Sequence, residues 1–370
     1  MRIYLDYNAS TPIAPEVGAA MRPYLDQHFG NPSSAHWAGQ PARDAVEAAR
    51  SEVASLLGCA TDEVLFTSGG SEANNHVIKG VVLGDAPPAP HLITTAVEHP
   101  AVIEPCRFVE RFGARVTTVP VDRHGLVDPE DIRRAITPET VLISVMHANN
   151  EVGTIQPIAA IARIAREHGV LCHTDAAQSV AKIATRVDDL GVDLLSLAGH
   201  KLYAPKGIGA LYVRRGVTLT PLIHGGGHER GQRAGTESAL LAAGLGAACR
   251  LAESAPCGDR LLTLREQFWT ALRDTFGDRV VLNGHMTRRL PNTLSVAFRG
   301  RFGDEILARL DGVAASTGSA CHTGDRTMSP VLAAMGVPSD IGFGTIRFSL
   351  GRTTTEAEID HVAGQLETCV

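Results

Sequence analysis

The chain has 370 residues, with 40 acidic side chains against 34 Lys and Arg, a net charge of −6, and 44% apolar to 20% charged residues. Such a composition fits a globular protein long enough for one large and one small domain, and without a basic run it argues against nucleic acid as a partner. No window approaches the ~18 uninterrupted apolar residues of a membrane span, and the opening Met1–Tyr7 lacks the charged start and apolar stretch of a secretory signal. A cytoplasmic location is expected, with no membrane partner. Seven cysteines, at 59, 106, 172, 249, 257, 321 and 369, show neither Cys-x-x-Cys nor Cys/His ligand spacing. Neither a disulfide framework nor a metal site is therefore expected, and most should be reduced, buried apolar residues.

In chain order, a helical pattern over Pro41–Leu57 precedes a strand at Val64–Thr67. The short linker Asp85–Pro90 leads to a strand at His91–Thr95 and a helix over Pro100–Phe112. Next come a strand at Val116–Val119, a helix at Pro129–Ile136, a strand at Thr140–Val145 and a helix at Ile158–His168. Two apolar runs then end in polar residues, Val170–Cys172 running into Asp175 and Asp193–Leu197 into Lys201. A strand at Gly209–Val213 and an alanine-rich helix over Ser238–Glu253 close this region. Strands alternating with helices predict an α/β fold with a mostly parallel sheet covered on both faces. Beyond about residue 257 the pattern becomes a smaller α+β unit, with strands at Thr293–Phe298, Val313–Ser316 and Thr345–Ser349 and a last helix at Glu356–Glu367. The large domain is expected over 15–255, and the small domain over 1–14 and 256–370.

Ligands gather at the carboxyl ends of strands in open α/β sheets. Lys201, at such an end beside glycine, is poorly solvated and well placed to form a Schiff base with a carbonyl cofactor. Asp175, on a neighbouring strand end 26 residues earlier, suits a cofactor whose pyridine nitrogen must stay protonated. Together they point to pyridoxal 5'-phosphate (PLP). Thr67–Asn75 puts small residues at a helix start, where free N–H groups favour a phosphate. His99 and His147–Glu151 follow two further strand ends.

Ordered motifs along nearly the whole chain carry a resemblance. They are Tyr4–Pro12, Phe29–Ser34, Phe66–Gly69, Glu98-His99, Met146–Gly153, Asp175–Gln178, Gly199–Lys201 and Pro205–Tyr212, then His224–Arg230, Arg233–Thr236, Gly318–Cys321 and Ile346–Arg352. On these the chain resembles the cysteine desulfurases and related lyases of the class V aminotransferase group, PLP enzymes of fold type I. The resemblance implies a large domain with a mostly parallel sheet and a smaller α+β domain.

It also implies roles. Lys201 would hold PLP and move protons, Asp175 would pair with the ring nitrogen, His99 would stack on the ring, and Gln178 would hydrogen-bond its phenolic oxygen. Gly70, Ser71 and His200 would hold the phosphate, with Thr236 reaching it from a second subunit, so a homodimer is implied. Asn150, Arg347 and Asn8 would bind the substrate, Arg347 because its planar fork grips a carboxylate. Cys321 would attack the sulfur of L-cysteine, giving a persulfide on Cys321 and alanine; only its thiolate is nucleophilic. His99, Lys201 and Cys321 would be catalytic.

Three departures carry information. Ala198 stands where the family pattern has a serine that gives the phosphate a hydroxyl donor, so one phosphate contact is expected to be missing, or supplied by water or another residue, with weaker PLP retention. The run Ala320–Asp325, with His322 after the cysteine, is similar to selenocysteine lyases, so the alternative is a lyase acting on L-selenocysteine, or on another cysteine derivative, through the same site. The chain stops at Val370, where housekeeping desulfurases commonly carry a longer tail, which leaves the sulfur-acceptor protein open. A non-catalytic PLP-binding partner subunit is the expectation that intact Lys201, Asp175, His99, Cys321 and Arg347 oppose.

Overall fold

The computed structural model describes residues 1–84, 86–322 and 325–370, the side chains of 319–326 excepted. A seven-stranded sheet runs through the first two-thirds of the chain, in the spatial order Val64–Thr67, Gly209–Val213, Leu194–Ala198, Leu171–Asp175, Thr140–Ser144, His91–Thr95 and Arg115–Val119. Only Gly209–Val213 pairs antiparallel with its neighbours. The other six strands therefore end on one edge, where loops collect. The central strands are buried along their length, as a parallel sheet covered by helices on both faces requires.

One glycine pair shapes that edge. Gly69 has φ of +147°, and a Cβ on Gly209 would lie 2.5 Å from Leu197 O and 2.7 Å from Gly69 Cα. The turn after Thr67 thus lies directly on the antiparallel strand and starts the helix Gly70–Val82 at the sheet edge. A side chain on Gly209 would push the turn away, and one on Gly69 would strain its positive φ.

The C-terminal part builds a second core on a four-stranded antiparallel sheet, ordered Ser316–Thr317, Thr345–Ser349, Thr293–Phe298, Val280–Leu282. The helices Gly258–Phe276 and Glu356–Cys369 cover it through Leu261, Phe268, Leu272, Ile359 and Leu366. Ile3 and Leu5 belong to this same core. The strand expected over Val313–Ser316 is split: Val313–Ala314 pairs with Ile3–Tyr4, and Ser316–Thr317 pairs with Arg347 and Ile346. Ala315 is where the chain changes sheets. The hairpin of Ser319–His322 with Asp325–Met328 had no counterpart among the expected strands. Among the described residues, no helix is long and apolar enough to cross a membrane.

Candidate active site

The strand ends open onto a cavity of about 420 Å³ between the two cores. Asn8, Gly70, Ser71, His99, Asn150, Asp175, Gln178, His200, Lys201 and Arg347 all line it. The site residues expected from the sequence converge there, with two exceptions. Thr236 is exposed and borders a different pocket of its own chain. Cys321 lies in the hairpin opposite Arg326, and its thiol is outside the described side chains.

Asp175 terminates its strand with both oxygens occupied. Oδ1 accepts from the N–H of Ala177 at 2.9 Å, and Oδ2 accepts from Asn74 Nδ2 at 2.7 Å. Beneath it the buried His173 ring bridges Ser144 Oγ and Ser196 Oγ at 2.8 and 3.0 Å, tying three strands together. Its burial lowers the ring's pKa to about 3, so it is a neutral strut.

Lys201 ends a short helical turn, Gly199–Lys201, and Nζ donates to the carbonyls of Asn8 (2.5 Å) and Ala9 (2.9 Å). Burial, with Arg347 adding, lowers its pKa to about 8 against the pull of Asp175 and Asp6. An amine so placed is a nucleophile near neutrality. Its neighbour His200 is lowered to about 4 by burial and by Lys201, and the buried Nδ1 has no partner. His99 caps the helix Pro100–Glu110, its Nδ1 accepting from Ala101 N at 3.0 Å. Although exposed at the cavity, its ring has a lowered pKa from the protein packed around it, Asp175 opposing.

Behind His99, Glu98 is buried. It accepts from Thr95 Oγ1 at 2.6 Å and Met146 N at 3.0 Å, and burial raises its pKa to about 8. That carboxyl ties the strand ending at Thr95 to the one ending at Ser144.

Arg347 sits mid-strand with its guanidinium on the cavity wall. Nη1 donates to Asn150 O (3.0 Å), while Nη2 donates to Asp6 Oδ1 (2.7 Å) and Ser316 Oγ (2.9 Å). Nε is buried with no acceptor. Asn150 therefore holds the arginine through its backbone. Asn8 is likewise committed: its side chain pairs with Thr293, Asn292 and Asn150 O, and it is 1% exposed. What Asn8 offers the cavity is its carbonyl, shared by Lys201 and by Gln178 Nε2 (2.9 Å).

Sequence reasoning missed Asn74, Asp6 and Lys182. Asn74 and Asp6 stand inside motifs that were recognised, but nothing in their spacing tells that they hold Asp175 and Arg347. Lys182 carries no motif; it donates to Gln178 O and Oε1, each at 3.0 Å.

The residues present fit PLP. The cavity holds a lysine with a lowered pKa, a carboxylate anchored by two donors for a pyridinium nitrogen, and unpaired buried polar atoms on His200 and Asn74. Gly70 and Ala198 lie side by side in its wall, a Cβ on Gly70 falling 3.4 Å from Ala198 Cβ. Ala198 presents only a methyl group there.

A family profile described as aminotransferase class-V matches residues 3–362. A cysteine desulfurase IscS of Dictyoglomus turgidum is 47% identical over 372 residues, spanning 100% of this chain and 94% of that protein. Among solved structures, a NifS-like protein superposes with a TM-score of 0.92 at 36% identity, covering 100% of this chain and 99% of that one. A structure described as SspA in complex with cysteine superposes with a TM-score of 0.85 at 39% identity, covering 94% of this chain and 98% of that one.

Proposed function

The chain belongs to the aminotransferase class-V family, and from its likeness to relatives named cysteine desulfurase we propose that it is a PLP-dependent cysteine desulfurase, converting L-cysteine to L-alanine and passing on the sulfur. The observation that carries this is the convergence of Lys201, Asp175, His99, His200 and Arg347 on one cavity. When bound, PLP supplies an electron sink for charge that develops on the substrate.

The chain's own residues do the rest. Lys201 Nζ is the amine that would hold the cofactor and would then carry protons to and from the substrate's carbon. Asp175 keeps a proton on the ring nitrogen, its charge fixed in place by Asn74 and Ala177 N. His99 covers the ring. Gln178 would donate to the phenolic oxygen, while Gly70, Ser71 and His200 would take the phosphate. Arg347 grips the substrate carboxylate, held ready by Asp6 and by Asn150 O.

The Cys321 thiolate attacks the substrate sulfur. An S–S bond forms as the Cβ–S bond breaks, the carbon keeps the electron pair and takes a proton, and alanine leaves with the persulfide on Cys321. The exposed position of Thr236, outside its own cavity, supports a homodimer in which it reaches the partner's phosphate site. The persulfide then passes to an acceptor protein.

The test is product formation by the PLP-loaded protein on L-cysteine and on L-selenocysteine, with Cys321→Ala alongside. With a dithiol present to reduce the persulfide and release its outer sulfur, alanine and sulfide from cysteine, lost in the variant, is the expected result. Cysteine turnover that survives in Cys321→Ala would overturn the persulfide. Turnover of selenocysteine alone would make the enzyme a selenocysteine lyase.

A further inference from the structure

Lys182 lies four residues after Gln178, just past Ala181, whose φ of +67° marks a sharp change in chain direction. Its Nζ donates to two acceptors of one residue, Gln178 O and Gln178 Oε1, both at 3.0 Å. At the other end of the same amide, Gln178 Nε2 donates to Asn8 O at 2.9 Å. A carboxamide has one end that only accepts and one that only donates. With a cationic donor on its oxygen and a carbonyl facing its nitrogen, Gln178 has one satisfied orientation and not the flipped one. Nε2 carries two protons, and Asn8 O takes one. Because Gln178 lines the cavity, the other is available to a group bound there.

We propose that Lys182 is a positioning residue that fixes Gln178 with its NH2 end toward the cavity and makes that N–H a stronger donor to the anionic oxygen of the cofactor ring. This rests on the assignment of Gln178 to that oxygen. The physical basis is twofold. A hydrogen bond from an ammonium is stronger than one between neutral groups, and donation to an amide oxygen polarises the N–H at the amide's far end. Burial first, and then Lys201 and Arg347, lower the pKa of Lys182 to about 7, with the nearby Cys257 opposing them. The amine donates in either protonation state, so the orientation of Gln178 persists through that change, while the added strength of its N–H belongs to the ammonium form.

The experiment reads the acid–base midpoint of the bound chromophore by absorbance, across pH, together with thermal unfolding of the unloaded proteins. A donor on the ring oxygen favours the state in which that oxygen carries its charge alone, so it lowers the midpoint. Gln178→Ala is therefore expected to raise the midpoint by about one unit. Lys182→Met should raise it by about half a unit, and Lys182→Arg, which stays charged at every pH used, should hold it at or below the wild-type value.

In the double variant, Lys182→Met should add nothing to Gln178→Ala. A Lys182→Met shift that persists in full without Gln178 would overturn the proposal, since the lysine would then act as a distant charge. A lowered melting temperature with an unmoved midpoint would also overturn it, leaving a purely structural lysine. No shift in Gln178→Ala would remove the assignment of Gln178 itself and the proposal with it.

Discussion

Lys201 is held between opposing influences. Burial and Arg347 favour the neutral amine; Asp175 and Asp6 favour the ammonium, and the first pair prevails, giving a pKa of about 8. Only the neutral form adds to an aldehyde. The rate at which the unloaded protein takes up PLP should rise with pH to a midpoint near 8 and then level off, as followed by the absorbance of the bound chromophore. A rate that climbs on into the ordinary lysine range, about 10.4, would show that burial and Arg347 do not set the reactivity. Ala198 makes a second point at the same scale. It is 3% exposed, ends its strand, and turns a methyl group to the cavity beside Gly70. Ala198→Ser adds a hydroxyl donor in the assigned phosphate region. One hydrogen bond to a charged group is worth about 1.5 kcal/mol or more, so PLP should be held roughly tenfold more tightly. Equilibrium dialysis measures this, and an unchanged constant would place the phosphate elsewhere.

At the scale of elements, the substrate side of the cavity is an assembly of short segments. The strand Thr345–Ser349 carries Arg347, the N-terminal segment brings Asp6, and Ser316 comes from the edge strand beside it. Ser316 Oγ also donates to Asp6 Oδ1 at 2.8 Å, so Asp6 is the shared acceptor for both. Asp6→Ala leaves Arg347 with Asn150 O and Ser316 Oγ but frees the guanidinium to swing. The expected result is a KM for L-cysteine raised about tenfold, near the 1.4 kcal/mol of one positioned contact, with kcat changed less than twofold. A loss in kcat with KM unmoved would mean that Asp6 acts on the reacting atoms instead.

The same elements show what a sequence can reveal. Strands that are buried on both faces read as apolar runs, and where such a run ends in Asp175 or precedes Lys201, the polar residue stands out against it. The ends of the large sheet, with Asp175 and Lys201, were legible for that reason, whereas Gln178, Asn8, Asn150, His200 and Arg347 were reached only through the family resemblance. Val280–Leu282 is too short to declare itself, and the run Val313–Thr317 hides a change of sheet that depends on which partner strand lies nearby. Asp6, Asn74 and Lys182 act through side chains brought close only by the folded backbone. No periodicity marks them.

For the whole molecule, Thr236 decides whether the site is complete in one chain. It is exposed, it borders a pocket with Phe66, Thr67 and Arg233, and it does not line the cavity that holds Lys201. Its loop is nevertheless firmly anchored. Arg50 donates through Nη1 and Nη2 to the two oxygens of Glu229, each at 2.8 Å, and Phe66 N donates to the same carboxylate at 2.9 Å. Both partners are buried, 4% and 2% exposed at the side chain, and removing one would leave the other charge unpaired in the core. Such an anchor stabilises Glu229 and Arg230 in left-handed backbone, at φ of +47° and +58°, which side-chain-bearing residues rarely adopt. A loop held so rigidly on an exposed face suits contact with a second copy, and Phe29 and Trp37, at 86% and 83% exposed, offer further apolar surface for one.

If Thr236 serves the partner's site, a chain lacking Lys201 can still supply it. Lys201→Ala and Thr236→Ala chains, each defective alone, should complement when refolded together at limiting PLP. The Lys201-bearing site then receives Thr236 from its neighbour, so cofactor retention and turnover per Lys201-bearing chain rise above those of Thr236→Ala alone. A mixture that gives only the weighted sum of its parents would show that each chain completes its own site.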